Sequence, residues 1–252
     1  MDIELSIIIV LTLVALLTGF IDSIAGGGGL IMMPALLFAG LPPQLALGTN
    51  KIQSVFGTSM AYRNYARAGL VEWRKEKWLA LLAFAGAAIG ALVVQQVSAR
   101  VLELIVPLFL LAVAIYVIAS PRMDDAQAHQ RLTRKGYAPV VTGIGFYDGF
   151  FGPGTGSFLA ASLVGLRGEG LTRATGHAKL FNMLTNLGSV IVFAFGGKII
   201  WLLGLSMAVG SMTGSWLGSR TAVKHGARLI RPLLVIISVA LTARLLWGWF
   251  QA

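Results

Sequence analysis

Two aspartates and two lysines lie in otherwise apolar segments and recur at matching positions in the two halves of the chain. Asp22 ends the sequence Gly-Phe-Ile-Asp and Asp148 ends Gly-Phe-Tyr-Asp, while Lys51 and Lys179 follow later in each half. Because a charged group inside a bilayer is costly, it is expected to face a cavity or a partner. The pattern predicts that the lysines bind an anion and that an aspartate relays a proton or cation. The alternatives are aspartates that cap backbone amides and lysines whose stems reach the membrane interface.

A glycine-rich stretch separates the aspartate from the lysine in each half, at residues 26–29 and 152–156. Glycine lets neighbouring backbone N–H groups turn towards one point, and the N-terminus of a helix carries partial positive charge. Two such helix starts meeting near mid-membrane would hold an anion. Close helix packing by small residues is the alternative.

Polar side chains accompany both lysines at helical spacing, so several of them share a face with the ammonium group. His177 is a candidate for binding substrate or a proton, with a structural hydrogen bond as the alternative. The candidate substrate-binding residues are Gly26, Gly27, Gly28, Gly29, Asn50, Lys51, Gln53, Gly152, Gly154, Thr155, Gly156, His177, Lys179, Asn182 and Asn186, and the candidate coupling residues are Asp22 and Asp148.

The composition indicates an integral membrane protein. Hydrophobic residues make up 56% of the 252 residues and charged residues 12%, against about 25% charged in soluble domains. The net charge of +10 is assigned to loops that flank membrane segments and not to nucleic-acid binding. The chain has no cysteine, and its three histidines show no metal-ligand spacing. Thiol chemistry, a bound metal and other cofactors are therefore not expected.

Both halves show the same order of predicted helices: a long helix, a glycine-rich break, a short apolar helix, a polar helix and two long helices. The predicted segments are residues 5–24, 30–39, 44–66, 78–97, 101–119, 137–150, 157–165, 171–195, 200–219 and 229–249. We therefore predict an all-α polytopic bundle of two homologous repeats, 1–120 and 137–252, joined by a cytoplasmic linker at 121–136.

Two further groups of residues are assigned to packing and to solvent. Glycines spaced four apart should bring helices close together; they are Gly86, Gly90, Gly214 and Gly218. The charged turn after the second short helix is expected to be an ordinary solvated turn, with attraction of anions to one mouth as the alternative; its members are Arg167, Glu169 and Arg173.

The distribution of lysine and arginine predicts that the two repeats are inverted. Basic residues cluster before the fourth helix of the first half, around 63–77, and after the fourth helix of the second half, around 220–231. Since these residues concentrate on the cytoplasmic side, the opposite bias predicts opposite insertion, with both termini outside. The short segments of about 10 residues are too short to cross and are predicted to be re-entrant. A parallel arrangement of eight complete spans is the alternative.

The motifs at residues 19–29 and 145–156, together with Gly48-Thr49-Asn50-Lys51, resemble those of the sulfite exporter TauE/SafE family, and the resemblance covers nearly the whole chain. It implies a bacterial or archaeal inner-membrane permease for small sulfur-containing anions such as sulfite or organosulfonates. By position, the family's glycine-rich segments fall on 26–29 and 152–156. Its polar segments fall on Asn50, Lys51 and Gln53, and on Lys179, Asn182 and Asn186.

These observations together predict a multi-pass inner-membrane secondary transporter that works by alternating access. Its expected partners are a small anion, the lipid bilayer, a coupling proton or sodium ion, and further copies of the chain in a homo-oligomer. A different anion such as a carboxylate is the alternative substrate. An integral membrane enzyme and a scaffold are the less favoured functions, since no nucleophile and base cluster stands out.

Overall fold

The computed structural model describes residues 4–119, 125 and 129–226, and all regular structure in this part of the chain is α-helical. The helices are α1 (Leu5–Ala25), α2 (Gly29–Phe38), α3 (Pro43–Arg67), α4 (Trp73–Gln96), α5 (Ala99–Ala119), α6 (Arg134–Phe150), α7 (Thr155–Arg167), α8 (Leu171–Phe195) and α9 (Trp201–His225). The predicted segment 229–249 lies outside the described residues.

Three of the described helices, α1, α4 and α8, are long and apolar enough to cross a membrane. The helices α3 and α9 have the same length as α8, 25 residues. At about 1.5 Å per residue such helices exceed the roughly 30 Å of a hydrocarbon core. The all-α prediction is confirmed for the described residues.

The predicted segments differ from the helices mainly at basic ends. The helix α4 starts at Trp73 instead of 78, and α9 continues to His225 instead of ending at 219. The helix α6 starts at Arg134 instead of 137, because the side chain of Thr133 caps it by accepting a hydrogen bond from the N–H of Gly136 at 3.2 Å. The predicted segments end where the apolar residues end, whereas the helices continue through polar and basic residues to their caps.

The short helix α7 returns to the end of the bundle where α6 begins. The N–H groups of Arg131 and Leu132, just before α6, donate to the carbonyl of Leu166 near the end of α7, at 3.0 and 2.8 Å. With 13 residues, α7 is about 20 Å long and would not cross a membrane alone. The helices α6 and α7 therefore form a hairpin.

The helix α2 likewise folds back along α1. A Cβ added to Gly28 would lie 2.6 Å from the carbonyl of Thr18, and the Thr18 hydroxyl lies 4.0 Å from the Met32 sulfur. With 10 residues, α2 is about 15 Å long. The helices α1 and α2 form the second hairpin of the bundle.

The two hairpins open at opposite ends of the bundle. After α2, the Gln44 amide donates to the carbonyls of Gln95 and Val97 at the last turn of α4. At the end of α7, Arg167 instead binds Glu76 in the first turn of α4. These ends are named the α2 end and the α7 end below.

Packing between the halves is reciprocal. The helix α1 packs along α9, and α6 packs along α4. A Cβ on Gly214 would lie 1.9 Å from the carbonyl of Leu16, and one on Gly90 would lie 2.1 Å from that of Phe146. The assignment of these glycines to close packing is confirmed. The helices α3 and α8 cross each other at the centre and also contact α9 and α4, respectively.

Two hydrophobic clusters hold the ends of the bundle. One includes Leu36, Leu47 and Val94 near the α2 end, and the other includes Leu79 and Leu171 near the α7 end. Buried polar side chains of α3 and α8 lie between the two clusters. The site described next occupies this polar layer.

Candidate functional site

Each lysine of the sequence pattern pairs with the aspartate of the opposite half. The Lys51 ammonium lies 2.9 Å from Asp148 Oδ1 and also donates to the backbone carbonyl of Asp148 at 2.5 Å. The Lys179 ammonium lies 2.8 Å from Asp22 Oδ2 and also donates to the carbonyl of Asp22. The two ion pairs therefore cross between the halves.

Both lysines are buried in the protein, with side chains 2% and 1% exposed for Lys51 and Lys179. Their ammonium groups do not reach the surface, so the interface alternative fails for this structure. A buried charge needs a partner of opposite sign with good geometry. The four groups supply such partners to one another and their formal charges sum to zero.

The aspartates also bind the starts of the short helices. Asp22 Oδ1 accepts the N–H of Gly28 before α2 at 3.3 Å, and Asp148 Oδ1 accepts the hydroxyl of Thr155 in α7 at 2.8 Å. The predicted capping of a backbone amide therefore occurs at Asp22, whereas Asp148 binds a side-chain hydroxyl instead. The other oxygen of Asp148 is buried and has no hydrogen-bond partner among the described residues.

The two glycine-rich stretches meet each other. A Cβ added to Gly26 would lie 2.5 Å from backbone atoms of Gly156 and Ser157, and Gly26 has a φ of 81°. The Ser157 hydroxyl donates to the carbonyl of Ala25 at 2.9 Å. A glycine at position 26 allows both the left-handed conformation and the contact. The N-termini of α2 and α7 therefore come together midway along the bundle.

A polar cavity lies at this meeting point. Its walls carry amides, hydroxyls, backbone N–H groups and charged groups, with few apolar side chains. The lining residues are Thr18, Gly19, Asp22, Gly26, Gly28, Gly29, Asn50, Lys51, Gln53, Ser54, Gly57, Thr58, Asp148, Gly152, Gly154, Thr155, Gly156, Asn182, Asn186, Ser211 and Ser215.

Three of the candidate residues lie away from the cavity wall. Gly27 and Lys179 do not line it, and Lys179 sits close to Gly156, which does. His177 lies near the α7 end, where its Nδ1 is 2.6 Å from Glu169. The structural alternative for His177 therefore fits its position better than contact with a ligand in this cavity.

Sequence analysis missed several lining residues because they are small. Ser211 and Ser215 on α9 stand among the glycines that were assigned to packing, and Gly57 on α3 carries no polar group. The spacing of four residues between the two serines placed them on one helix face, but no charged neighbour drew attention to that face. The lining residues outside the candidate set are Thr18, Gly19, Ser54, Gly57, Thr58, Ser211 and Ser215, of which Gly19 and Ser54 lie in segments that sequence analysis had noted.

A network of charged residues joins the helices at the α7 end. Arg167 donates two hydrogen bonds to Glu76, at 2.8 and 2.9 Å, and Arg134 adds a third at 3.1 Å. Arg167 also lies 3.2 Å from Glu169, which bonds His177. Arg167 is 9% and Glu76 1% exposed. The prediction of an ordinary solvated turn is therefore wrong for Arg167, whose partner is distant in sequence.

Neutral hydrogen bonds join helices at the α2 end. The Gln44 amide donates to the carbonyl of Val97 at 2.8 Å, and the N–H of Ile200 donates to the hydroxyl of Thr49 at 3.0 Å. The carbonyl of Lys198 would lie only 2.0 Å from a Cβ on Gly48. The two ends of the bundle are thus joined by different contacts, ionic at one end and neutral at the other.

The described residues contain no group of three histidine, cysteine, aspartate or glutamate side chains that could hold a metal ion. The arrangement offers donors of hydrogen bonds, one lysine and two carboxylates around a small hollow. Such a set suits the binding of a small polar or charged solute.

Comparison with known proteins gives the family. The chain is 46% identical over 246 residues to a probable membrane transporter protein, ORF9, of a Sinorhizobium species, covering 97% of this chain and 94% of that protein. It is 43% identical to the probable membrane transporter protein YfcA of Escherichia coli K12, covering 94% and 89%. It is 40% identical to one from Haemophilus influenzae over the whole length of both. No solved structure matches.

The family model for the sulfite exporter TauE/SafE matches residues 11–245, which confirms the resemblance seen in the glycine and lysine motifs. The chain therefore belongs to the TauE/SafE family of membrane transporters.

Proposed function

We propose that this membrane transporter carries a small sulfur-containing anion, sulfite or an organosulfonate, across the inner membrane as a multi-pass secondary transporter. The observation that carries the proposal is the polar cavity midway along the bundle, where the N-termini of α2 and α7 meet beside Lys51. Helix N-termini and lysine favour an anion at such a place.

Alternating access is supported by the geometry of the two halves. The hairpins α1–α2 and α6–α7 open at opposite ends, and the packing of α1 on α9 is matched by that of α6 on α4. Inverted repeats around a central site commonly work by moving one part against the other. The ionic contacts at the α7 end and the neutral contacts at the α2 end are those that such a movement would break in turn.

The crossed ion pairs support coupling to protons. Because the charges of the four residues sum to zero, an anion that enters adds uncompensated negative charge. Protonation of Asp22 or Asp148 would neutralise one carboxylate and release its lysine, whose ammonium group would then pair with the anion. The proton would leave the carboxylate when the anion leaves the cavity, and the ion pair would form again.

The test is flux into liposomes that contain the purified protein. Sulfite, isethionate, thiosulfate, sulfate and lactate are offered separately, with and without an inward proton gradient. We expect sulfite or isethionate to enter faster than into protein-free vesicles, and the gradient to accelerate entry. Entry of lactate without any sulfur anion would overturn the proposed substrate, and entry of none by monodisperse protein would overturn transport of these anions.

A charge-balanced variant tests the site itself. The double substitution Lys51→Met and Asp148→Asn removes one ion pair without leaving a lone buried charge, so the protein is expected to fold but to lose flux. The exposed pair Lys75 and Glu72, at 2.5 Å, gives the matched control, Lys75→Met with Glu72→Gln. Normal flux by the first double variant would overturn the role of Lys51.

A further inference from the structure

The cavity is one-sided although the two halves of the chain are related in sequence. The helix α9 contributes Ser211 and Ser215 to its wall, whereas no residue of α4, the corresponding helix of the first half, is among the lining residues. Two equal halves would have produced two equal sites. Two substitutions among the described residues contribute to the difference.

The first difference is the loss of two hydroxyl groups. Aligning Gly86 of α4 with Gly214 of α9 places Ala83 and Ala87 opposite Ser211 and Ser215. Both alanines are fully buried. Their carbonyls lie 2.4 and 1.9 Å from a Cβ added to the glycines of α6 that face them, Gly145 and Gly149. The α1–α9 crossing is equally close, with the carbonyl of Ser211 2.5 Å from a Cβ added to Gly19, so the two crossings differ by the hydroxyl groups and not by the backbone spacing.

The second difference is an aromatic side chain. Aligning Lys51 with Lys179 places Phe181 opposite Gln53. Gln53 lines the cavity, whereas Phe181 is fully buried in the hydrophobic cluster near the α7 end. The Gln53 side chain therefore borders the cavity, whereas the Phe181 ring at the corresponding position packs into the hydrophobic cluster.

The hydroxyl of Ser211 is available to a ligand. It donates no hydrogen bond to any of the residues that the structure describes, although Ser211 is buried and lines the cavity. Ser215 instead donates to the carbonyl of Gly19 at 3.1 Å. A Cβ on Gly57 would lie 2.2 Å from the Ser211 oxygen, so the glycine at 57 is what leaves this hydroxyl its space.

We propose that the anion binds on the α1–α9 side of the cavity and that Ser211 donates a hydrogen bond to it, while the corresponding place between α4 and α6 binds nothing. The proposal rests on the proposed function. The anion meets Ser211 from α9, the amides of Asn182 and Asn186 from α8, and the α2 N-terminus beside Asp22. Asp22 is 22% exposed and Asp148 2%, so the more accessible carboxylate lies on the same side.

The first test uses cysteines, because the chain has none of its own. Ser211→Cys and, as the matched control, Ala83→Cys are labelled separately in liposomes with a small, negatively charged thiosulfonate reagent. We expect labelling of Ser211→Cys at least about ten times faster than of Ala83→Cys, and slower labelling of the former when isethionate is present. Equal rates for the two variants, or no protection by isethionate, would overturn the one-sided site.

The second test measures the hydrogen bond without a reactive group. A hydrogen bond to a charged partner contributes enough that Ser211→Ala should raise the KM of sulfite or isethionate roughly 10- to 150-fold. Ser206→Ala is the matched control on the same helix, since its exposed hydroxyl bonds the carbonyl of Leu202. Equal KM values for the two variants would overturn the proposal.

Failure here is distinguishable from failure of the proposed function. Flux of the same anions by the unaltered chain is measured alongside. If that flux is present while Ser211→Cys and Ala83→Cys label alike, the one-sided site is wrong and transport stands. If that flux is absent, the proposed function is wrong, and the proposed contact between Ser211 and the anion is wrong as well.

Discussion

Removing one member of the Lys51–Asp148 pair is expected to cost far more stability than removing both. Each single substitution, Lys51→Met or Asp148→Asn, leaves the other charge buried with no counter-charge, since both side chains are 2% exposed. Breaking a buried pair in this way costs about 3–5 kcal/mol, whereas replacing both members together is often nearly neutral. Asp148→Asn retains a carbonyl oxygen that accepts the Thr155 hydroxyl, so the change is mainly one of charge.

The magnitude converts to a melting temperature. For a chain of this size, 1 kcal/mol corresponds to roughly 2–4 °C. Each single variant should therefore melt roughly 6–20 °C lower. The double variant should lie close to the unaltered protein, so that the two single costs are strongly non-additive. The Lys179–Asp22 pair should show a smaller single cost at Asp22, because that carboxylate is 22% exposed.

The assay is thermal unfolding in detergent, followed by loss of the monodisperse peak in size exclusion for the four members of the cycle. The exposed pair Lys75 and Glu72 is taken through the same cycle and should leave the melting temperature nearly unchanged. Additive costs at Lys51 and Asp148, or single variants as stable as the unaltered protein, would refute a buried ion pair between the halves. A shift of similar size at the exposed pair would refute the explanation by burial.

Two further predictions concern the contacts that shape the site. Gly26→Ala should destabilise the protein by about 1–3 kcal/mol more than Gly40→Ala. Both positions have positive φ, but only a Cβ at position 26 would meet backbone atoms. Equal melting temperatures of the two variants would contradict the close contact. Glu76→Gln should cost about 1.5–3 kcal/mol because it removes one of the two carboxylates that bind Arg167 and leaves Glu169. Glu72→Gln on the same helix end is the control, and thermal melts in which both behave alike would show that the α7-end network adds no stability.

The duplication in the sequence predicted which charged residues lie at the centre, through the repetition of rare residue types in an apolar chain. Asp22, Asp148 and Lys51 all line the cavity as expected. The repeat did not predict how the lysines pair with the aspartates. It shows which positions of the two halves correspond but not which residues are in contact. The sequence alone did not show which aspartate each lysine binds; the packing of α3 and α8 determines it.

Other contacts had no local signal at all. Arg167 sits at a turn whose composition is typical of solvent exposure, and its partner Glu76 lies in a distant helix. Ser211 is one small residue among many on α9, and its position at the cavity depends on the close approach of Gly57. Such features depend on tertiary packing, whereas helix positions follow from local periodicity and length.

The crossed pairs bear directly on how the proposed movement would occur. Since Lys51 and Lys179 each bind an aspartate of the other half, any motion that separates the halves at the centre must break both ion pairs or carry them along. Breaking one without replacement costs about 3–5 kcal/mol, which would keep the empty protein from moving freely. A proton on the carboxylate and an anion bound to the lysine would together replace the broken ion pair. Either one alone would leave a buried charge without a partner. The proposed movement would therefore require both, and in the charge-balanced double variant at Lys51 and Asp148 this requirement would remain at the Lys179–Asp22 pair.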